Sequence, residues 1–116
     1  LAIAYNNLGV LAKRTGDLHT ALEHLESALS IDRRLGRTSA IADRLTNIGI
    51  IMMRLSRHAE AEERLSEARR LYTRIGATRG LVATRTALGN LHRMRREWGL
   101  AREALDEALR LSRQHG

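Results

Sequence analysis

The sequence contains no cysteine and no proline, and only one Trp and two Tyr among its 116 residues are aromatic. The absence of cysteine excludes disulfides, thiolate nucleophiles and every zinc site that needs a cysteine ligand. The absence of proline argues against a linker or a low-complexity tail. No apolar run approaches the roughly 18 residues of a membrane-spanning helix, so we expect a cytoplasmic chain without membrane contact.

Lysine is almost absent, since Lys13 is the only basic residue that is not an arginine. The 20 basic and 13 acidic residues give a formal charge of +7, which raises nucleic acid or acidic peptides as partners. Genomic base composition produces the same arginine skew without selection for binding. Composition alone therefore leaves the origin of the charge open.

Six sets of similar residues recur at intervals of 40 positions along the chain. Gly9, Gly49 and Gly89 form the clearest set. The other five sets are Leu8, Ile48 and Leu88; Ala21, Ala61 and Ala101; Leu25, Leu65 and Leu105; Ala28, Ala68 and Ala108; and Gly36, Gly76 and Gly116. Such a repeat is one supersecondary unit that must stack on its neighbours to bury its apolar face. We expect one array, residues 1–116, with units at 1–40, 41–80 and 81–116.

Each unit contains two stretches with the period of an amphipathic α-helix. In the first unit the apolar and small residues stand at i, i+3, i+4 and i+7 from Tyr5, and at i, i+3, i+7 and i+10 from Leu18. Short turns such as Thr15-Gly16-Asp17 make the two helices antiparallel neighbours, with Asp17 as the cap of the second. The pattern predicts six helices, at 1–14, 18–35, 39–54, 58–75, 79–95 and 98–114.

Small residues mark the expected crossing of the two helices and the end of the second. Gly9 and Ala21, with their counterparts in the other units, remove side-chain bulk and let neighbouring Leu and Ile side chains interdigitate. Gly36 and Gly76 each follow an arginine and one aliphatic residue. They are expected to end the second helix in the left-handed conformation.

These motifs resemble those of tetratricopeptide repeat (TPR) proteins, whose signature is aromatic-x-x-Leu-Gly-x-x-Tyr followed by Ala-x-x-x-Phe, an Ala and a Pro. The matching residues of the first unit are Tyr5, Leu8, Gly9, Ala12, Ala21, Leu25 and Ala28. The unit of 40 residues exceeds the usual ~34. It is similar to the long repeats of kinesin light chains, of cell-polarity adaptors with GoLoco motifs, and of bacterial MalT-like or Rap-like regulators.

The resemblance implies an all-α fold, a right-handed α-α superhelix of three helical hairpins and six helices. It also implies a non-catalytic module that binds a protein or peptide within a larger, bacterial regulatory or scaffold protein.

The sequence departs from the TPR signature in three places. The closing Pro is absent, Arg85 occupies an aromatic position, and His58 stands where Leu18 and Trp98 stand.

In such arrays the first helix of each unit lines a concave groove, and helix periodicity selects the face opposite the apolar one. We call the residues on this face the inner wall. They are Asn6, Asn7, Val10, Lys13 and Arg14 in the first unit, Thr46, Asn47, Ile50, Met53 and Arg54 in the second, and Thr86, Asn90 and Arg93 in the third.

The mixed composition of the inner wall suits an extended peptide. An Asn side chain both donates and accepts hydrogen bonds, so Asn7 and Asn47 are able to hold a peptide backbone without reading its sequence. The aliphatic and Met side chains suit apolar residues, and the basic residues at the far end suit acidic ones. We therefore expect a linear acidic-apolar segment as the ligand.

Catalytic motifs are missing from the sequence. The His residues lie far apart, and even His19 and His24 are five positions apart, which does not align two metal ligands on one helix face. There is no Walker-type loop, no His-Glu-x-x-His and no Gly-x-Ser-x-Gly. Glu62 and Glu63 lie among arginines, which is typical of an exposed, salt-bridged face. We expect no enzyme activity, no metal and no cofactor.

The alternative function is an accessory module of a nucleic-acid-associated transcriptional regulator. Its candidate residues are Arg69, Arg70, Arg74, Arg93, Arg95 and Arg96, with Trp98 available for stacking. The low aromatic content and the lack of a recognition helix or RNA-binding motif disfavour nucleic acid as a partner. Trp98 is expected instead to pack between helices, as Leu18 does.

The chain begins inside a helical pattern without Met and ends at the Gly that closes the third unit, so we expect a piece of a longer array. No polar capping helix follows the third unit in the sequence. We therefore expect exposed apolar positions around Ala101, Leu105 and Leu109, and self-association through uncapped terminal repeats.

Overall fold

The computed structural model describes residues 17–115. It contains five α-helices: α1 (Leu18–Leu35), α2 (Thr38–Arg54), α3 (His58–Ile75), α4 (Thr78–Met94) and α5 (Trp98–His115). Each bound agrees within one residue with the bound predicted from the sequence, and residues 17–115 contain no β-strand. The predicted helix at 1–14 lies outside the described residues, so the count of six helices stays a prediction.

Three helix ends follow the signals predicted from the sequence, at Asp17, Gly36 and Gly76. Asp17 caps α1, since its Oδ1 accepts a hydrogen bond from the Thr20 backbone N–H at 3.0 Å. Hydrogen bonds from the Thr20 hydroxyl and backbone hold the pKa of Asp17 below its usual value. Gly36 (φ 66°) and Gly76 (φ 68°) end α1 and α3 in the left-handed conformation, as predicted.

The helices form two layers. The pairs α2 with α3 and α4 with α5 pack as helical hairpins, while α1 packs on α2 and α3 packs on α4. Helices α2 and α4 also touch each other, whereas α1, α3 and α5 pack mainly against α2 and α4. We call α2 and α4 the inner layer and α1, α3 and α5 the outer layer. This arrangement places the predicted inner-wall residues of the second and third units on the adjacent helices α2 and α4.

Glycine allows the two helices of each hairpin to approach closely. A Cβ added at Gly49 would lie 2.6 Å from Leu65 Cγ, and one added at Gly89 would lie 2.6 Å from Leu105 Cγ. These distances are well below van der Waals contact, so the leucine packs in the space that the missing side chain leaves. The predicted role of the repeated glycine at the helix crossing is confirmed at Gly49 and Gly89, and Gly9 lies outside the described residues.

A continuous apolar core joins α1 to α4. The largest apolar side chains with almost no exposure are Leu25, Leu45, Ile48, Ile51, Leu65 and Leu91. One ion pair lies beside this core, where Arg44 Nε of α2 is 3.2 Å from Asp32 Oδ2 of α1. Asp32 is fully buried and Arg44 is 9% exposed. Because a buried charge without its partner is costly, this pair restricts how α1 lies on α2.

Replacing Gly49 with Ala is expected to lower the free energy of unfolding by about 1–3 kcal/mol, because the new methyl group must displace Leu65. Gly99 provides a matched control, since nothing lies within 4 Å of a Cβ added there. Gly99→Ala is expected to leave stability unchanged or to raise it by up to about 1 kcal/mol. Urea unfolding followed by circular dichroism measures both, and equal effects of the two substitutions would contradict the close crossing.

Candidate functional site

The inner wall on α2 offers polar and apolar groups side by side. Asn47, Ile50 and Met53 are half-buried, and Arg54, the last residue of α2, is exposed. Ile50 and Met53 pack against the core with part of their surface. Their remaining surface is accessible to a ligand on the inner layer.

The inner wall continues on α4. Asn90 is half-buried there, and Thr86 and Arg93 are exposed. Asn90 and Arg93 occupy the positions that Ile50 and Met53 occupy 40 residues earlier. The predicted wall residues that lie outside the described residues are Asn6, Asn7, Val10, Lys13 and Arg14.

The threonines and asparagines of the inner wall differ in the hydrogen bonds they already make. Thr46 is only 7% exposed, and its hydroxyl donates to the Ala42 carbonyl oxygen at 2.9 Å. The Thr86 hydroxyl donates to the carbonyl oxygen one turn before it, at 2.8 Å. A hydroxyl has one proton, so neither threonine donates to a ligand while these bonds hold. The amides of Asn47 and Asn90 make no hydrogen bond within residues 17–115.

Tyr72 of α3 supports the beginning of the inner wall, although no sequence motif singled it out. Its hydroxyl donates to Asp43 Oδ1 at 2.5 Å and lies 3.4 Å from Thr46 Oγ1. Burial and the hydrogen bond to Asp43 raise the pKa of Tyr72 to about 12. The available signal was Gly80, because a Cβ there would overlap the Tyr72 ring. Tyr72 occupies the position that the buried Asp32 occupies 40 residues earlier.

Trp98 does not pack between helices, so that prediction is wrong. Trp98 is 61% exposed, whereas Leu18 packs against the core. The reason is its place in the array. Within the described part of the chain α5 packs mainly against α4, so no further helix covers the side on which Trp98 stands.

The prediction of exposed apolar positions at the end of the third unit is correct only for Leu109, which is 50% exposed. Ala101 is 4% exposed and Leu105 is half-buried, because both belong to the close crossing at Gly89. Leu100 is also 50% exposed. The exposed apolar surface of α5 therefore includes only one of the three predicted residues, Leu109, together with Trp98 and Leu100, which were not predicted to be exposed.

The arginines proposed to contact nucleic acid differ in their surroundings. Arg95 is half-buried, and its Nη1 lies 2.6 Å from Glu62 Oε1 of α3. Arg93 and Arg96 are exposed, whereas Arg69 is half-buried. At least one of these charges is thus balanced within the protein, which reduces the basic surface available to phosphates.

The described residues offer neither a metal site nor a membrane-spanning helix. No group of three or more His, Asp or Glu side chains between residues 17 and 115 is placed to hold a metal ion. Within the same range, no helix has the length and apolar character that crossing a bilayer requires.

Comparison with known proteins agrees with this geometry. Tetratricopeptide repeat models match residues 38–114 and residues 2–35. The fold is similar to the crystal structure of BtubC (BKLC) from P. vanneervenii, with a TM-score of 0.90 and 24% sequence identity. That match covers 98% of this chain and 46% of BtubC, so the chain spans less than half the length of that structure. No curated protein matches the sequence.

The chain belongs to the tetratricopeptide repeat family, since one family model alone covers both described hairpins. Helical repeats of this kind stack into extended surfaces that bind other proteins. The two layers described above are therefore those of a protein-interaction module.

Tyr72→Phe is expected to lower the free energy of unfolding by about 1 kcal/mol at neutral pH, because the hydrogen bond to Asp43 is lost. The pKa of Tyr72 is raised from 10.0 to about 12 in the folded chain. The neutral hydroxyl thus stabilises the native state fully below pH 10, and this contribution is lost as the pH rises from 10 through about 12. Urea unfolding measured at several pH values from 10 to about 12 should show that the free energy of unfolding falls more steeply with pH for the wild type than for the variant. Parallel curves would contradict this assignment.

Proposed function

We propose that the chain is a non-catalytic protein-interaction module that binds an extended acidic-apolar peptide across the inner wall. The proposal is carried by the arrangement of α2 and α4, which lie side by side and present half-buried apolar side chains next to two amides that make no hydrogen bond within residues 17–115. A solenoid of helical hairpins presents such a surface to an extended ligand.

The amides of the inner wall suit recognition of a peptide backbone. The NH₂ group of Asn47 or Asn90 donates to a peptide carbonyl, and the amide oxygen accepts from a peptide N–H. Asn47 lies on the same helix as Ile50 and Met53, within two turns. A ligand that crosses α2 and then α4 is therefore held by polar contacts to its backbone and by apolar contacts to its side chains.

Basic side chains give the inner wall a charged end. Arg54 is the last residue of α2, and Arg93 is the last but one of α4. Both side chains are exposed. Charge-assisted hydrogen bonds from a guanidinium to a carboxylate are among the stronger contacts available at a surface. An acidic residue of the ligand is therefore favoured at this end.

The proposal includes the array and the larger protein that the resemblance to TPR proteins implies. The chain is then one array of units 1–40, 41–80 and 81–116, wound as a right-handed superhelix of six helices, in a bacterial, cytoplasmic regulatory or scaffold protein. The similarity to BtubC, of which the match covers 46%, supports a longer array. The uncovered side of α5, with Trp98 and Leu109 exposed, supports contact with a further repeat or a second copy.

The test is an amide NMR titration of the isotopically labelled chain with the acetylated, amidated peptide Ala-Glu-Leu-Asp-Leu-Ala. Saturable shifts of Asn47, Ile50 and Asn90 are expected. Asn47→Ala is expected to weaken binding by about tenfold, because a polar contact to the backbone is lost. Arg54→Glu is expected to weaken it by about tenfold or more, because the charge is reversed.

Arg34→Glu provides the matched control. Arg34 is exposed in the last turn of α1, as Arg54 is exposed in the last turn of α2, but α1 belongs to the outer layer. This variant is expected to bind the peptide normally. Unchanged affinity in both Asn47→Ala and Arg54→Glu would refute the inner-wall site. A compact set of shifts around Arg93 and Arg96 with a mixed-sequence DNA duplex at physiological salt, and none with peptide, would favour the accessory nucleic-acid function instead.

A further inference from the structure

Two arginines between α3 and α4 replace two leucines between α1 and α2. Leu29 of α1 is 4% exposed and Leu45 of α2 is 0% exposed, and both belong to the apolar core. The residues 40 positions later are Arg69 of α3 and Arg85 of α4, and both are half-buried. The repeat therefore keeps the helices and exchanges core leucines for two cations.

Ion pairs connect the outer helices α1 and α3, whereas the corresponding positions of α3 and α5 carry no oppositely charged pair. Arg33 of α1 donates two hydrogen bonds to Glu67 of α3, at 3.1 and 3.3 Å. Arg64 Nη2 of α3 lies 3.4 Å from Glu26 Oε2 of α1. The residues at the corresponding positions of α3 and α5 are Ser66, Thr73, Ala104 and Glu107, and no ion pair is possible among them.

A groove opens where these ion pairs are missing. It lies between α3 and α5, and side chains of α4 form its floor. One part has a volume of about 370 Å³ and is lined by Arg69, Arg70, Leu81, Arg85 and Leu111, together with Thr73 and Glu107. A second part of about 240 Å³ adjoins the first at Arg69 and Arg85. We call the two parts together the outer groove.

The two central arginines of the outer groove, Arg69 and Arg85, form no direct ion pair within residues 17–115, although Arg85 interacts electrostatically with Glu107. Burial lowers the pKa of Arg69, and the nearby charges of Arg85 and Arg70 lower it further. Cations that are partly desolvated and close to each other favour an anion that binds between them.

Glu62, Glu103 and Glu107 also line the outer groove, and within residues 17–115 none of them forms an ion pair with Arg69 or Arg85. Glu107 accepts hydrogen bonds from Arg110 of its own helix, at distances down to 2.6 Å. These hydrogen bonds from Arg110 hold the pKa of Glu107 below its usual value, and the nearby charge of Arg85 lowers it further. Glu62 is paired with Arg95 at 2.6 Å, and Glu103 is exposed. Their negative charge opposes a continuous line of phosphates such as a nucleic acid backbone. A ligand with one anionic group suits this border better than a polyanion.

We propose that the outer groove binds the carboxylate of a single acidic residue, flanked by apolar residues, in a partner polypeptide. A carboxylate accepts charge-assisted hydrogen bonds from two guanidinium groups at once, here those of Arg69 and Arg85. Leu81 and Leu111 supply the apolar contacts for the flanking residues. The site opens between α3 and α5 of the outer layer and shares no residue with the inner wall, so it does not depend on the function proposed for that wall.

The test is an NMR titration of the labelled chain with the acetylated, amidated peptide Ala-Leu-Glu-Leu-Ala, in which the arginine Nε–Hε signals are followed. Saturable shifts of the Arg69 and Arg85 signals are expected. The same peptide with Gln in place of Glu is expected to bind at least about tenfold more weakly, because the charge-assisted hydrogen bonds are lost.

Leucine substitutions test the arginines without leaving a cavity. Arg69→Leu and Arg85→Leu each restore the residue found 40 positions earlier, so the melting temperature is expected to rise. Each is expected to weaken peptide binding by about tenfold or more. Arg102→Leu is the matched control, because Arg102 is exposed on α5 and does not line the outer groove. Its affinity for the peptide is expected to remain that of the wild type.

Several results would overturn the proposal. One is equal affinity for the Glu and Gln peptides, and another is the absence of a saturable shift of the Arg69 and Arg85 signals. A third is a loss of peptide binding in Arg102→Leu as large as that in Arg69→Leu or Arg85→Leu. Tighter binding of inorganic phosphate or of a DNA duplex at the same signals would show that the groove is not specific for a carboxylate. Asn47→Ala is expected to leave this binding unchanged, so failure at the outer groove is distinguishable from failure at the inner wall.

Discussion

The close crossing of the two helices in each hairpin is the constraint on which the rest of the structure depends. Leu65 occupies the space over Gly49, and Leu105 occupies the equivalent space over Gly89, at the same distance from the missing Cβ. Because the crossing is equivalent in both hairpins, their first helices come to lie side by side. The inner wall exists because α2 and α4 are neighbours, and the outer groove exists because α3 and α5 are not.

The contacts between consecutive hairpins vary much more than the hairpins themselves. At one interface Asp32 and Arg44 form a buried ion pair. At the next, the residues at these positions are Tyr72 and Thr84, and the Tyr72 hydroxyl turns to Asp43 at the edge of the inner wall. The helices stay in place under these exchanges because the leucine-over-glycine crossing is retained. Interface positions are therefore free to carry charge, and the outer groove is built around two such positions, Arg69 and Arg85.

Local signals predicted the helices well, whereas contacts between units were less accessible from the sequence. Helix bounds depend on nearby residues such as Gly36 and Gly76, whose left-handed conformation ends the helix wherever the unit is placed. Burial depends on which helix covers a residue. For this reason Trp98 is exposed despite occupying the same position in its unit as Leu18. Helix periodicity places Thr46 on the exposed inner wall, whereas the structure buries it. Its burial depends on contacts with a neighbouring helix, which the periodicity of α2 alone does not reveal.

Arg69 and Arg85 exchange packing between α3 and α4 for an anion-binding groove. Native-state hydrogen exchange measures this exchange, because in a stacked array the opening of a terminal hairpin reports the strength of its interface. In the double variant Arg69→Leu/Arg85→Leu, protection of the amides of α4 and α5 is predicted to rise by about tenfold or more, since two leucines are returned to the core. Unchanged or lower protection in α4 and α5 would contradict the account.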